Sequence, residues 1–291
     1  MAPAPQLDQP ENDELSGYRY RLLEGWVMPP EITDESFASS RNLPTRPTDI
    51  CFVSYPKSGT TWLAYILVLL TQKKKDSLET SYVWPESDRT FQGTAEDLAQ
   101  LDDPRIFKSH MPYHMALGTP ARSPCRYIYI ARNPKDVCTS YYYFERNQSW
   151  SGFFDGGWDR WFEMFVRGKV QRGDWFDHVL SWWEKRHEEN VLFVKYEDLQ
   201  KNFDSELKRI ADYLHIEVDD AVVKEIRDTV SFSNMKTNEF SSLANRDGHT
   251  CFFRKGKVGS WREQFTAKQT EVFDSMYRDR MADTGLSFDF D

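Results

Sequence analysis

The chain has 291 residues, of which 40% are hydrophobic and 15% aromatic, enough to bury a large core and to exclude wholesale disorder. Its 37 Lys and Arg against 46 Asp and Glu leave a net charge of −9 and a pI near 5.3. That balance argues against sequence-independent binding to nucleic acid or an anionic membrane as the main activity, while leaving room for a small basic pocket.

In chain order, residues 1–14 are Pro-rich and acidic and read as a disordered tail without the basic and apolar regions of a signal peptide. One domain is expected over 15–291. Residues 15–48 hold aromatics among prolines and read as an irregular covering segment. Residues 50–55 form a short β-branched and aromatic run, expected as a buried strand. A turn at 56–59 and a helix over 60–73 follow. Its apolar run, 63–70, is far short of the roughly 20 residues that span a bilayer.

The same strand–turn–helix recurs. Residues 105–108 suggest one further strand and 126–131 another. After the latter, Asn133 and Pro134 start a helix with a side-chain cap and Pro at its first position. A third unit has its strand at 191–196 and its helix over 198–214. Strands alternating with helices predict an α/β fold: a single domain with a mainly parallel central sheet flanked by helices. Residues 236–260 read as a long loop. Cys51, Cys125, Cys138 and Cys251 form no C-x-x-C pair and read as reduced thiols of a cytoplasmic protein, not as a disulfide frame or zinc site.

Three segments carry candidate chemistry. The first is YPKSGTTW, residues 55–62, between the predicted strand at 50–55 and its helix. Backbone N–H groups at a helix start carry partial positive charge, Gly59 lets an anion approach closely, Ser58, Thr60 and Thr61 add hydroxyls, and Lys57 adds a charge. This is a phosphate cradle, though not a Walker A loop, because Lys57 precedes the glycine. A plain Ser/Thr-capped helix is the alternative. The second is Arg132, leaving a strand end, with Ser140 eight residues on; a solvated Arg beside a capped helix fits these residues equally well. The third is FRKGKVGSW, residues 253–261, either a flexible anion clamp or a solvated basic loop.

Together these segments resemble the cytosolic sulfotransferases, which use 3′-phosphoadenosine 5′-phosphosulfate (PAPS). The likeness runs from about residue 50 to 288 and includes IYIARNPKDVCTSYYYF, KYEDL and RKGKVGSW. It implies that Lys57, Ser58, Gly59, Thr60, Thr61 and Trp62 hold the 5′-phosphosulfate, with Trp62 against the adenine. Arg132 and Ser140 would hold the 3′-phosphate, joined by Arg254, Lys255 and Gly256, and Phe253 would be a further cofactor-binding residue. Tyr196 would lie near the adenine, with Ser231, Phe232 and Met235 from the VSFSNM stretch. Many relatives have Thr where this chain has Val230, so Thr229 or Ser231 would have to replace that hydroxyl.

The family's K-x-H pattern selects His110 as general base, in Lys108-Ser109-His110, a role suited to an imidazole titrating near working pH. His114 is the rival; His178, His187, His215 and His249 are given no role. Lys57 would stabilise the leaving phosphate and Lys108 the transferred sulfuryl oxygens. The resemblance implies no metal.

It also implies an apolar acceptor pocket at Phe144 and Trp84, which Tyr18, Tyr20 and Trp26 would close; core packing is the alternative for each of these aromatics. The acceptor would be a small molecule, such as a phenol, steroid-like alcohol or amine. A homodimer contact is implied through residues 262–271, weakened because Arg262 and Ala267 replace the family's Lys and Val. A phosphate loop after a strand also occurs in small-molecule kinases, and a non-catalytic nucleotide-binding protein is the other alternative.

Overall fold

A computed structural model describes residues 17–87, 95–148, 152–241 and 253–291. The expected tail at 1–14, His249 and Cys251 lie outside the described residues. The segment 15–48, expected to be irregular, carries a hairpin of β1 (Arg21–Leu23) and β2 (Trp26–Met28), then α1 (Asp34–Arg41). Thr33 and Ser36 form a capping box that starts this helix. The prolines fall outside its regular elements, and Tyr18, Met28 and Phe37 anchor the segment by burial.

The centre is built from β3 (Ile50–Ser54), α2 (Thr60–Leu70), α3 (Ala95–Ala99), β4 (Ile106–Ser109), β5 (Arg126–Ala131) and α4 (Pro134–Glu145). There follow α5 (Gly157–Val166), α6 (Trp175–Trp183), β6 (Val191–Lys195), α7 (Tyr196–Lys201) and α8 (Phe203–Leu214). The chain continues through α9 (Asp220–Thr229), α10 (Phe232–Thr237) and α11 (Ala267–Met281). The segment 198–214, expected as one helix, is two: the backbone leaves the helical region at Asn202. The N-terminal end of the expected loop 236–260 is the last turn of α10.

Four strands form one parallel sheet in the order β4-β3-β5-β6. Side chains alternate across it, as the period of two requires. Cys51 and Val53 with Tyr127, Tyr129 and Ala131 join one core, against α4, α5 and α6. Ile50 and Phe52 with Ile128 and Ile130 join the other, against α2, α8 and α9. Both faces are dry, which is why these strands read as continuous apolar runs.

Register places chemistry at the carboxyl end of the sheet. Val53 lies opposite Ser109, so the next residues, Ser54 and His110, meet side by side. Ser54 opposes Ile130, and Arg132 leaves β5 two residues later. Phosphate loop, histidine and arginine therefore open on one edge of the molecule, the usual place for ligands in open parallel sheets.

Candidate active site

The loop between β3 and α2 turns through left-handed backbone at Lys57 (φ 68°) and Gly59 (φ 104°). A Cβ at Gly59 would sit 2.7 Å from the Tyr196 ring, so only glycine fits here without a shift. Such a turn at a helix N-terminus gathers N–H donors on one side. Lys57, Gly59, Thr60, Thr61 and Trp62 line a cavity of about 960 Å³. Ser58 is instead fully buried and is not among the lining residues.

On the neighbouring strand, Asn133 caps α4 by accepting from the Asp136 N–H at 2.9 Å, with Pro134 in the first turn. This fixes where Arg132 leaves the sheet. Glu197, whose carboxyl burial pushes up to about 7, accepts from the Asn133 N–H at 2.7 Å. The Asp136 carboxylate is fully buried and accepts five hydrogen bonds. Oδ1 takes the Ser260 hydroxyl and the Trp261 N–H, both at 2.9 Å. Oδ2 takes the Gly259 N–H at 3.0 Å, Asn133 Nδ2 at 3.0 Å and Arg132 Nη2 at 3.2 Å. One carboxylate thus ties the 253–261 segment to the start of α4, and Arg132 Nη2 also reaches the Lys257 carbonyl at 2.9 Å.

Arg254 is brought close to Arg132. Burial and then the Arg132 charge push its guanidinium below the usual value. Gly256 (φ 63°) packs on the Phe232 ring, where a Cβ would come within 2.2 Å of a ring carbon. Arg132, Ser140, Tyr196, Ser231, Phe232, Met235, Phe253, Arg254, Lys255 and Gly256 all line the same cavity as the phosphate loop. Thr229 ends α9 and is not among the lining residues. Four polar atoms here are buried without a hydrogen-bond partner: Ser58 Oγ, Trp62 Nε1, Arg132 Nε and Arg254 Nε. Buried donors of this kind are costly unless a ligand meets them. Their chemistry, cations and N–H donors beside aromatic rings, fits an adenine nucleotide bearing more than one anionic group.

His110 Nδ1 lies 2.8 Å from the Ser54 carbonyl oxygen. A carbonyl only accepts, so Nδ1 carries the proton and Nε2 is left as an acceptor. Burial, then the charges of Lys108 and Arg172, hold the imidazole well below its ordinary pKa and keep it neutral. The Ser54 hydroxyl meets Thr60 Oγ1 at 2.6 Å, linking the histidine to the first turn of α2. His114 is exposed, packs on Trp26 and is not among the lining residues.

Lys57 Nζ sits 4.2 Å from the centre of the Phe144 ring, and Lys108 Nζ 3.7 Å from that of Trp84. Burial lowers Lys108 to about 7, with Arg172 and Lys57 adding to the fall and Glu79 and Glu86 opposing it. Trp84 and Phe144 line the cavity; Tyr18, Tyr20 and Trp26 are not among the lining residues. Tyr18 is wholly buried in the core, its hydroxyl taking the Gln171 N–H at 2.9 Å. The N-terminal side of the cavity is supplied instead by Pro29 and Glu31.

Sequence reasoning missed several residues. His178 is fully buried and neutral, its pKa pushed down to about 3 mainly by burial; it donates Nε2–H to the His110 carbonyl at 3.0 Å. Glu86 is fully buried beneath Trp84 and accepts from the His110 N–H at 3.4 Å. Asp136 lies within the IYIARNPKDVCTSYYYF stretch, but its task is to hold Ser260 and Trp261, 124 and 125 residues away. Each acts across long chain separations, so no local spacing marks it. Among the described residues no group of three His, Cys, Asp or Glu converges as a metal site.

A parallel α/β sheet whose carboxyl edge carries a phosphate loop, a cationic clamp and a neutral histidine defines a nucleotide-dependent transferase. A family model described as a sulfotransferase domain matches residues 47–285. Mouse sulfotransferase 1B1 is 38% identical over 257 residues, 83% of this chain and 85% of that protein. Human sulfotransferase 1C2 is 31% identical over 283 residues, covering 93% and 95%. The structure is similar to that of mouse sulfotransferase SULT7A1 complexed with PAP, with a TM-score of 0.76, 33% identity and coverage of 91% and 94%. The chain belongs to the sulfotransferase family, and it is a PAPS-dependent sulfotransferase.

The Asp136 tether is directly testable. Asp136→Asn places an NH₂ group against donors that need an acceptor. Trypsin should cut after Arg254, Lys255 or Lys257 roughly tenfold faster than in the parent protein, with the sheet still folded by circular dichroism. Unchanged cleavage would mean that other contacts hold the segment.

Proposed function

We propose that residues 15–291 act as one domain in which His110, Lys57 and Lys108 carry sulfuryl transfer to a hydroxyl or amine of a small, largely apolar acceptor. The observation that carries the reading is the hydrogen bond from His110 Nδ1–H to the Ser54 carbonyl, which leaves Nε2 able to take a proton at the cavity wall. When bound, PAPS supplies the sulfuryl group and a bisphosphate leaving group. Nε2 removes the acceptor's proton as its oxygen or nitrogen attacks sulfur. Lys57 offsets negative charge growing on the departing phosphate, and Lys108 steadies the sulfuryl oxygens. Trp62, Tyr196, Phe232, Phe253 and Met235 surround the adenine. Thr60, Thr61 and the N–H groups near Gly59 serve the 5′ end; Ser58, expected there too, is not among the lining residues.

Arg132, Ser140, Arg254, Lys255 and Gly256 serve the 3′-phosphate, and Ser231 supplies the hydroxyl that Val230 lacks. Two guanidiniums held close together, with buried Nε atoms unpartnered, support a dianionic group at that place. A kinase or a non-catalytic nucleotide binder is not favoured, because neither accounts for this second anion site together with the family match. The cytoplasm is the proposed compartment; the buried free thiols of Cys51, Cys125 and Cys138 support it. No helix among the described residues is long and apolar enough to cross a membrane.

His110→Ala should lower kcat by about 10²–10⁴-fold, measured as transfer of labelled sulfate to a phenol, with adenosine 3′,5′-bisphosphate binding retained. Turnover within a few-fold of the parent would remove His110 from the role.

The Lys108 charge should appear in the pH profile. With a pKa of about 7, the ammonium is present below that value and lost above it. kcat/KM for PAPS, which reports the free enzyme, should fall as pH rises from 6.5 to 8.5. Lys108→Arg, always charged, should extend the plateau upward. Because His110 is held neutral, no acid limb is expected at the ordinary imidazole value. A profile unchanged by Lys108→Arg would sink the assignment.

We further propose a weak homodimer through residues 262–271. Thr266, Ala267 and Lys268 are exposed there, at the capped start of α11. Light scattering should show dissociation on dilution, and Ala267→Glu, which suits a helix N-terminus, should shift the balance to monomer. A dimer insensitive to both would place the contact on another surface.

A further inference from the structure

Arg172 follows α5 in a turn with left-handed backbone (φ 73°), its N–H bound to the Val27 carbonyl at 2.6 Å. Its side chain is 1% exposed, yet it lines the cavity on the side of His110 and Trp84. The nucleotide-binding segments do not reach it, and the family-based reading of the site gives it no role.

The guanidinium is poorly satisfied. Nη1 makes only long contacts, to Glu86 Oε2 at 3.4 Å, Met111 Sδ at 3.6 Å and Met28 Sδ at 3.7 Å. Nη2 is buried with no partner. Glu86 cannot supply the missing acceptor, because its oxygens are shared among the Ser109 hydroxyl, Trp84 Nε1 and the His110 N–H. An arginine brings rigid, forked donors, and one left bare in a dry wall costs stability that a ligand would restore. The protein thus keeps an unused donor beside the base, on the wall that an acceptor must touch.

We infer that Arg172 is the specificity residue for the acceptor, and that the preferred acceptor carries a neutral carbonyl oxygen that receives Arg172 Nη2–H while its hydroxyl faces His110. The inference rests on the sulfotransferase reading and names the substrate class within it. A neutral oxygen is the economical partner: Glu86 already matches the Arg172 cation, so a carbonyl satisfies Nη2 without adding a charge to that wall. Lys57 and Lys108 line the same cavity and would favour an acceptor carboxylate, which is therefore the charged arm of the test. Tyr141, Phe144 and Trp84 leave the rest of the wall aromatic.

The test uses two phenols of nearly equal shape, 4-hydroxyacetophenone and 4-isopropylphenol, with 4-hydroxybenzoate as the charged arm. For each, kcat/KM is measured with PAPS, and affinity for the complex with adenosine 3′,5′-bisphosphate is measured by calorimetry. The differing acidities of the phenols cancel when the ketone-to-alkyl ratio is compared between proteins. Arg172→Met is expected to lower that ratio about ten- to a hundredfold in both measurements, the usual worth of a hydrogen bond to a charged group. Should Arg172→Met fail to fold around an unpaired Glu86, Arg172→Lys keeps the charge but lacks the fork, and should lower the ratio in the same direction. A ratio unchanged in a folded Arg172 variant overturns the assignment. Tighter binding of 4-hydroxybenzoate than of the ketone overturns the neutral-carbonyl part. If the parent protein sulfates none of these phenols, phenols fail as its acceptors, and the calorimetric ratio still decides the role of Arg172.

Discussion

The Asp136 carboxylate is the contact on which the proposed nucleotide end of the site depends. It is fully buried, which is costly for a charge, and the cost is offset only because five donors converge on it. Those donors come from two places far apart in sequence: Arg132 and Asn133 at the head of α4, and Gly259, Ser260 and Trp261 near the end of the chain. Without it the basic segment has no fixed position relative to the phosphate loop. The Arg254 side chain is tied into the same knot, since its Nη2 donates to the Ser260 hydroxyl that donates to Asp136. Two like charges can be held side by side because a buried anion lies at the base of the arrangement.

The acceptor end is organised differently, by strand register. Pairing of Val53 with Ser109 leaves His110 beside the last residue of β3, so a main-chain carbonyl sets the tautomer. The hydroxyl and N–H of that end converge on Glu86, and the carbonyl of His110 is held by His178, which accepts in turn from Tyr129. The residues that hold His110 are buried, which suits a proposed base that must keep its Nδ1 proton in one position.

Much of this was legible in the sequence. The strands of the β3, β5 and β6 units show as apolar runs because both sheet faces are dry, and the Asn133–Pro134 start of α4 follows from cap chemistry alone. The loop from Lys57 to Trp62, the pair Arg132 and Ser140, and Arg254 to Gly256 carry local patterns, and they meet at one cavity. The hairpin β1–β2 and helix α1 were hidden because short, proline-flanked elements are set by tertiary anchoring through Tyr18, Met28 and Phe37. The break at Asn202 divides a regular apolar period that gives no warning of it. Glu86, Arg172 and His178 stayed invisible because their meaning lies in partners 23 to 86 residues away. For Tyr18, Tyr20 and Trp26 the core-packing alternative holds: Tyr18 belongs to the core on the α4–α6 face, and Tyr20 and Trp26 pack against it.

Trp84 joins tasks that a protein under selection would prefer to keep apart. Its ring meets His110 edge-on with centroids 5.5 Å apart, lies under the Lys108 ammonium, donates through Nε1 to Glu86, and lines the cavity. Any replacement that reshapes the cavity also changes the medium around Lys108 and frees a bond on Glu86. Drift toward new acceptors through this position therefore disturbs turnover at the same time. Diversification of the acceptor range has an easier route through an uncharged lining residue outside this cluster, such as Pro29.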